Sequence, residues 1–234
     1  METTPKRSKT TPASSRVKLR REPQRGRHDR ATIDRVLDRA LVAHIAFCDK
    51  DGQPYCVPTL CARVGDRVMV HGSSASRMLR GLTAGAPACL TATLTDGLVL
   101  ARSVFEHSVN YESVMVLGTL VAVSEPTDKL EALRAFTEKL LPGRWDEVRE
   151  PTAKELKATA ILAIQLDEAS AKVRSGPPET PPEDEGVDVW AGVVPLLASY
   201  GAPVGAPDNS DGKPVSASVL ALLERGPTPP GERG

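Results

Sequence analysis

Apolar and polar positions recur with changing period along the chain, and each change marks an element. From Arg30 to Ala40, Ile33, Val36, Leu37 and Ala40 fall at helical spacing, which predicts an amphipathic helix capped by Asp29 or Thr32. Leu41–Cys48 is then an apolar run suited to a buried strand. Asp51-Gly52 turns it into Pro54–Arg63, and Val64-Gly65-Asp66 turns that into Arg67–His71, giving a three-stranded meander. Ser74–Thr83 returns to a helical period, with Met78, Leu79 and Leu82 available for packing, until Gly85-Ala86-Pro87 stops it. A hairpin is expected around Asp96-Gly97, between Ala88–Leu94 and Leu98–Ser103. Next comes a long strand, Ser113–Ser124, bent or bulged at Gly118. Thr127–Leu141 carries a helical stripe of Leu130, Leu133, Phe136 and Leu140, ended by Pro142-Gly143. A shorter helix begins at Pro151 or Thr152, and Thr159–Asp167 reads as the last strand. Six or seven sequential short strands without a β-α-β rhythm predict an antiparallel barrel, the closure that removes exposed sheet edges.

Composition adds boundaries to this pattern. The 234 residues carry 30 Lys+Arg and 30 Asp+Glu, but unevenly. Residues 1–30 hold ten basic and three acidic residues, a net of +7, whereas 175–234 hold three and nine, a net of −6. The last 60 residues also contain 11 of the 20 prolines and 9 of the 18 glycines. Three segments are therefore expected. Residues 1–28 form a disordered basic arm, 29–174 a barrel domain, and 175–234 a Pro/Gly-rich extension, partly docked around 187–197, where the apolar Val187–Leu196 stretch with Trp190 would sit on the barrel or on a partner subunit. Val219–Leu223 adds a helical turn. Trp190 is expected to pack against the barrel, its own or across a dimer, since an exposed aromatic cluster is costly to keep soluble. The basic arm is compatible with either a solubilising tail or a polyanion site, and nucleic acid is not the expected partner. No run approaches the roughly 20 apolar residues that span a bilayer, and no apolar h-region follows the basic start, so the reading is a soluble cytoplasmic protein. Cys48, Cys56, Cys61 and Cys89, separated by seven, four and 27 residues, match no compact zinc signature, and no metal site is expected.

Two stretches concentrate chemistry. His71-Gly72-Ser73-Ser74-Ala75-Ser76-Arg77-Met78-Leu79-Arg80 is a strand end, a turn of small residues and a helix start. Its amides, hydroxyls and two arginines three residues apart suit a phosphate, although a capped helix with solvated arginines has the same pattern. Phe105–Ser113 gathers His107, Ser108, Asn110, Tyr111 and Ser113 in what reads as a loop, which suits either binding or an ordinary polar turn. His44 reads as a sheet histidine. His71 and His107 could serve a haem iron without a diagnostic spacing. No nucleophile triad, P-loop or paired carboxylate is present, so no catalytic residue is assigned.

In this order the motifs resemble the flavin-binding split-barrel superfamily, in its pyridoxamine 5'-phosphate oxidase-like branch that includes nitroimidazole-resistance-type proteins. The resemblance runs from about Arg30 to Arg174. It is carried by the Leu41–Ala46 strand, Asp51-Gly52-Gln53-Pro54 followed by Val57-Pro58, and His71-Gly72-Ser73 leading to Arg77. Asn110-Tyr111-Glu112-Ser113-Val114 before Gly118 and the exit Lys172-Val173-Arg174-Ser175-Gly176-Pro177-Pro178 belong to the same pattern. Val189-Trp190-Ala191-Gly192 looks like an extension frequent in actinobacterial-type members.

The resemblance implies a six-stranded antiparallel split β-barrel with short flanking helices, assembled as a homodimer with two FMN at the subunit interface. Ser74, Ser76 and Arg77, with Arg80 as helper, would meet the phosphate. Val57, Pro58, Thr59 and Leu60 would border the pyrimidine edge. His71 and Ser73 stand beside them, Asn110, Tyr111 and Ser113 would approach from either subunit, and Lys172 and Arg174 would add positive charge. The arginine–histidine arrangement of true pyridoxamine 5'-phosphate oxidases is not evident at the Lys172-Val173-Arg174 exit, so vitamin B6 oxidation is not expected. The expectation is an FMN-dependent oxidoreductase or flavin reductase with a small-molecule substrate and NAD(P)H as candidate donor. Its alternative is a non-catalytic flavin- or haem-binding protein for storage or sensing.

Overall fold

The computed structural model describes residues 11–209 and 212–226. Its elements in chain order are β1 (Gly26–Arg27), α1 (Arg30–Arg39), β2 (Val42–Cys48), β3 (Pro54–Val64), β4 (Arg67–Ser73), α2 (Arg77–Thr83), β5 (Pro87–Leu100) and β6 (Ser108–Thr119). After them come β7 (Val121–Ala122), α3 (Pro126–Leu140), α4 (Ala153–Ala158), β8 (Thr159–Gln165), β9 (Glu168–Arg174), β10 (Gly192–Pro195) and α5 (Ala217–Glu224). The local signals worked where chemistry dictated them. Asp29 caps α1 by accepting from the Thr32 amide at 2.9 Å, and Gly52, Gly65 and Gly143 take the positive φ their turns require.

The strands form one antiparallel sheet in the order β1-β9-β6-β5-β2-β3-β4-β8-β7, with β10 added to β5. The six-stranded barrel of the sequence reading is thus corrected to an open ten-stranded sheet. Leu120 alone separates β6, which pairs with β5 and β9, from β7, which pairs with β8, so one bent path joins the two halves. Gly118 lies at this crossing without a bulge. A Cβ there would stand 3.3 Å from Ile164 Cγ1. The expected Asp96-Gly97 hairpin is instead a continuous strand, with the register of β5 and β6 shifting between Thr95 and Gly97. Gly97 does not turn the chain; it makes room for β10, since a Cβ would meet Val194 O at 3.0 Å.

Burial follows the faces of the sheet. Inward residues such as Ala43, Ile45, Leu90, Val114, Val116, Val68, Val70 and Ile164 pack with Ile33, Val36 and Leu37 of α1 and Leu79 and Leu82 of α2. Outward residues of β3, β4 and β8, namely Ala62, Met69, Ile161 and Ala163, lie beneath Ala132 and Phe136 of α3. With both faces covered, β4 and β8 read as continuous apolar runs. β2 alternates instead: Val42, His44 and Cys48 are exposed, so the expected fully buried strand is buried on one face only. Lys139 ties α3 to α1 by donating to Leu37 O at 2.6 Å.

Both terminal segments join the sheet. The disorder expected over 1–28 does not describe residues 11–28. Val17 is buried, Arg16 is paired with Glu168, and β1 lies along β9; residues 1–10 lie outside the described residues. In the extension, β10 pairs with β5 at Gly192↔Leu100 through Pro195↔Gly97, where docking was expected. Within one chain Trp190 does not pack on the barrel: it is 64% exposed, and its ring lies on Gly192, where a Cβ would meet ring carbon Cζ2 at 2.7 Å.

Candidate functional site

The sheet opens along β3. Residues 54–60 pair with β2, whereas only 61–64 pair with β4. β4 pairs with β8 along its whole other edge, from Arg67↔Gln165 to Ser73↔Thr159, and its last residues, His71 to Ser73, pair with β8 alone. Among the described residues, no strand is paired with the second edge of Val57, Pro58, Thr59 and Leu60, so the sheet splits here between β3 and the end of β4, leaving a cleft between them. The opposite lip is the end of β4 and the turn into α2. There Ser73 Oγ accepts from the Ala75 amide at 3.2 Å and Ser73 O from the Ser76 amide at 2.9 Å, while the Ser74 amide donates to Ala158 O at 3.3 Å. Ser76 stands at the N-cap of α2 without a side-chain cap bond, which leaves its hydroxyl uncommitted to the helix. Arg77 opens α2, and its side chain lies outside the described residues. With only seven residues, α2 offers a turn of hydroxyls and amides more than a helix dipole.

His71 stands on this lip, half-buried, with its ring edge-on to Phe136 at a centroid distance of 4.5 Å. Burial pushes its pKa below the ordinary histidine value, so its imidazole is neutral near pH 7 and has a lone pair to offer. His44 lies one strand beyond β3, on an outward face that, among the described residues, no helix covers. Cross-strand register sets it in a row with Pro58, Thr91 and Met115, beside exposed Val42, Cys48 and Cys56. This face offers apolar area around one imidazole.

The remaining candidates do not gather at the same cleft within one chain. Asn110, Tyr111 and Ser113 belong to β6, because the expected loop becomes strand from Ser108 onward. Three inter-strand spacings, on the order of 14 Å, separate β6 from β3. Asn110 is buried and accepts from Arg174 Nη1 at 2.5 Å, while its amide donates to Gly176 O at 3.1 Å; these two predicted residues hold the β6–β9 end together. Ser113 Oγ donates to Lys172 O at 3.4 Å. His107 Nδ1 accepts from the Ala101 amide at 2.9 Å, closing the β5–β6 loop.

Two features escaped the sequence. Glu112, inside the Asn110–Ser113 motif, faces inward and receives Arg35 Nη1 at 2.5 Å and Arg39 Nη1 at 3.0 Å, with Asp96 3.7 Å from Arg39 Nη2. The Arg35/Arg39 spacing on α1 was visible, but not the strand it faces. The second is a cavity of about 630 Å³ behind the cleft lip, lined in part by Ser74, Arg80, Lys129, Lys157 and Thr159. Lys157 comes from α4, 77 residues beyond Arg80, a juxtaposition no local pattern carries.

An open antiparallel sheet split between β3 and the end of β4 is the architecture of a split-barrel protein. A family model described as pyridoxamine 5'-phosphate oxidase matches residues 29–173, and the chain belongs to that family. It is similar to the flavocytochrome Anf3 from Azotobacter vinelandii, at 38% identity and TM-score 0.84 over 91% of this chain and 99% of that one. A FAD and haem binding protein from Mycobacterium smegmatis aligns at 40% identity and TM-score 0.80, over 85% and 97%. A Bacteroides thetaiotaomicron protein described as a 5-nitroimidazole antibiotic resistance protein shares the fold at 18% identity and TM-score 0.55, over 63% and 86%. No curated protein matches.

Proposed function

We propose that this chain is a redox protein holding a flavin together with a haem, as a dimer whose two flavins lie at the subunit interface. The observation that carries the flavin is the unpaired edge of Val57–Leu60 facing the Ser73–Arg77 turn. Backbone groups on one lip match a planar heterocycle with alternating donors and acceptors, and hydroxyls with Arg77 on the other match a phosphate. The two relatives at 38% and 40% identity, a flavocytochrome and a FAD and haem binding protein, support the pairing with haem and weigh against an enzyme restricted to FMN. His44, on the open apolar face, is the candidate iron ligand, with the neutral His71 beside the cleft as the second. A second copy would cover that face and carry its own Tyr111, Ser113 and Lys172 towards the flavin. When bound, the flavin supplies the electron transfer, with NAD(P)H or another small molecule as candidate donor; the chain positions it and shields it from water.

An absorbance spectrum of purified protein, with added FAD, FMN and haemin, tests this. Flavin bands near 370 and 450 nm together with a strong haem band near 400 nm are expected. His44→Ala should remove the haem band and leave the flavin bands; a haem band unchanged in both His44→Ala and His71→Ala overturns the ligand assignment. Arg77→Ala should weaken flavin binding by about 1–3 kcal/mol, and an unaltered affinity would remove Arg77 from the site.

A further inference from the structure

The cavity behind the cleft lip distinguishes two forms of the same cofactor. It begins at Ser74, within the phosphate turn, and runs along α2 past Arg80 to Thr83 and Ala84. Leu79, Ile161 and Leu162 back its apolar floor from the buried core, and its accessible apolar surface is Ala84, Ala160 and, on the far wall, Ala122. At about 630 Å³ it is far larger than one phosphate needs and within the range of small-molecule sites. Its polar lining is basic and hydroxylated. Lys129 spends two of its three donors on Leu156 O and Thr159 O, at 3.2 and 2.9 Å, and keeps one. Among the described residues, no ion pair or hydrogen bond engages the side chain of Arg80 or Lys157. Two uncommitted cations therefore share a cavity that has an apolar floor. This pattern fits an anionic group attached to a flat aromatic one, and it adjoins the place where a flavin phosphate would end.

We infer that this cavity receives the adenylate half of FAD: Arg80 and Lys157 take the second phosphate, and the adenine lies against Ala84 and Ala122. The inference rests on the flavin reading above and specifies which flavin the chain selects. Titration of full-length protein with FAD and with FMN, followed by flavin fluorescence, tests it. The wild type should hold FAD at least tenfold more tightly than FMN. Lys157→Glu, which reverses an exposed charge, should weaken FAD by roughly tenfold or more and leave FMN unchanged. Ala122→Trp, which fills the far wall, should do the same without touching a charge. Equal affinity for both flavins in the wild type, or FAD affinity unmoved by both variants, overturns the inference and leaves the flavin reading intact. Absence of saturable binding by either flavin overturns both.

Discussion

At the scale of the residue, the strongest demand on the fold falls on Arg39. Its side chain is 2% exposed, and its countercharges are Glu112 at 3.0 Å and Asp96 at 3.7 Å. A buried guanidinium is tolerable only while its carboxylate stays in place, and removing one partner of such a group costs about 3–5 kcal/mol. Glu112→Ala should therefore lower the unfolding free energy measured by denaturant titration by that amount, whereas Asp38→Ala, at a far more exposed pair with Arg63, should change it by no more than about 1 kcal/mol. Equal effects would remove the distinction drawn between the two pairs. Glu147 shows the opposite situation, a solvent-exposed carboxyl that clamps a helix. Ser218 Oγ and the Ser218 amide donate to it at 2.5 and 2.9 Å, and these bonds hold its pKa down at about 2 from an ordinary 4.5. For an acid with a depressed folded pKa the stabilisation is fully present above 4.5 and is lost as the pH falls through about 2. α5 should loosen across that window. Glu147→Gln should loosen it at pH 7, seen as faster amide exchange at 217–224 with the sheet unchanged.

At the scale of the element, Gly97 explains why a turn signal became a strand. Its missing Cβ admits β10, so Gly97→Val should displace β10 and expose residues 192–195 to proteolysis while β5 and β6 stay paired. Full protection in that variant would show that β10 docks by other contacts. The same position marks how far the sequence could be read. α1, α3 and the turns at Gly52, Gly65 and Gly143 were legible because caps, periodic stripes and positive φ are local properties. β9 was not read as a separate strand, because Glu-Ala-Ser-Ala-Lys-Val-Arg lacks the β-branched run that marks one; its place is fixed by β6 and β1 on either side. The cleft followed the same division. Ser73, Ser74, Ser76 and Arg77 were legible as a cluster, since they are neighbours in the chain. The Glu112 network and the Arg80–Lys157 cavity join residues from distant elements, and only the sheet order reveals them.

At the scale of the whole molecule, the architecture is a sheet bent at Leu120 into two halves, with α1 inside, α3 over one outer face and the other outer face open. That open face makes oligomeric state the property on which the shared-flavin proposal depends. Solution mass should read as a dimer, and His44→Glu, which places a charge on the open face, should shift it towards the monomer; a wild-type monomer would leave the flavin cleft to be closed by this chain alone. The two strands contributed by the terminal segments bear on a different matter, the choice of where to cut. Residues 29–173 are the stretch matched by the family model, yet β1 and β10 lie outside it and occupy the outer edge of β9 and the far end of β5. A fragment trimmed to the recognised stretch would present two raw sheet edges, along with the pocket vacated by Val17. The stretch that the family model matches and the stretch that closes its own sheet edges are, for this chain, different lengths of polypeptide.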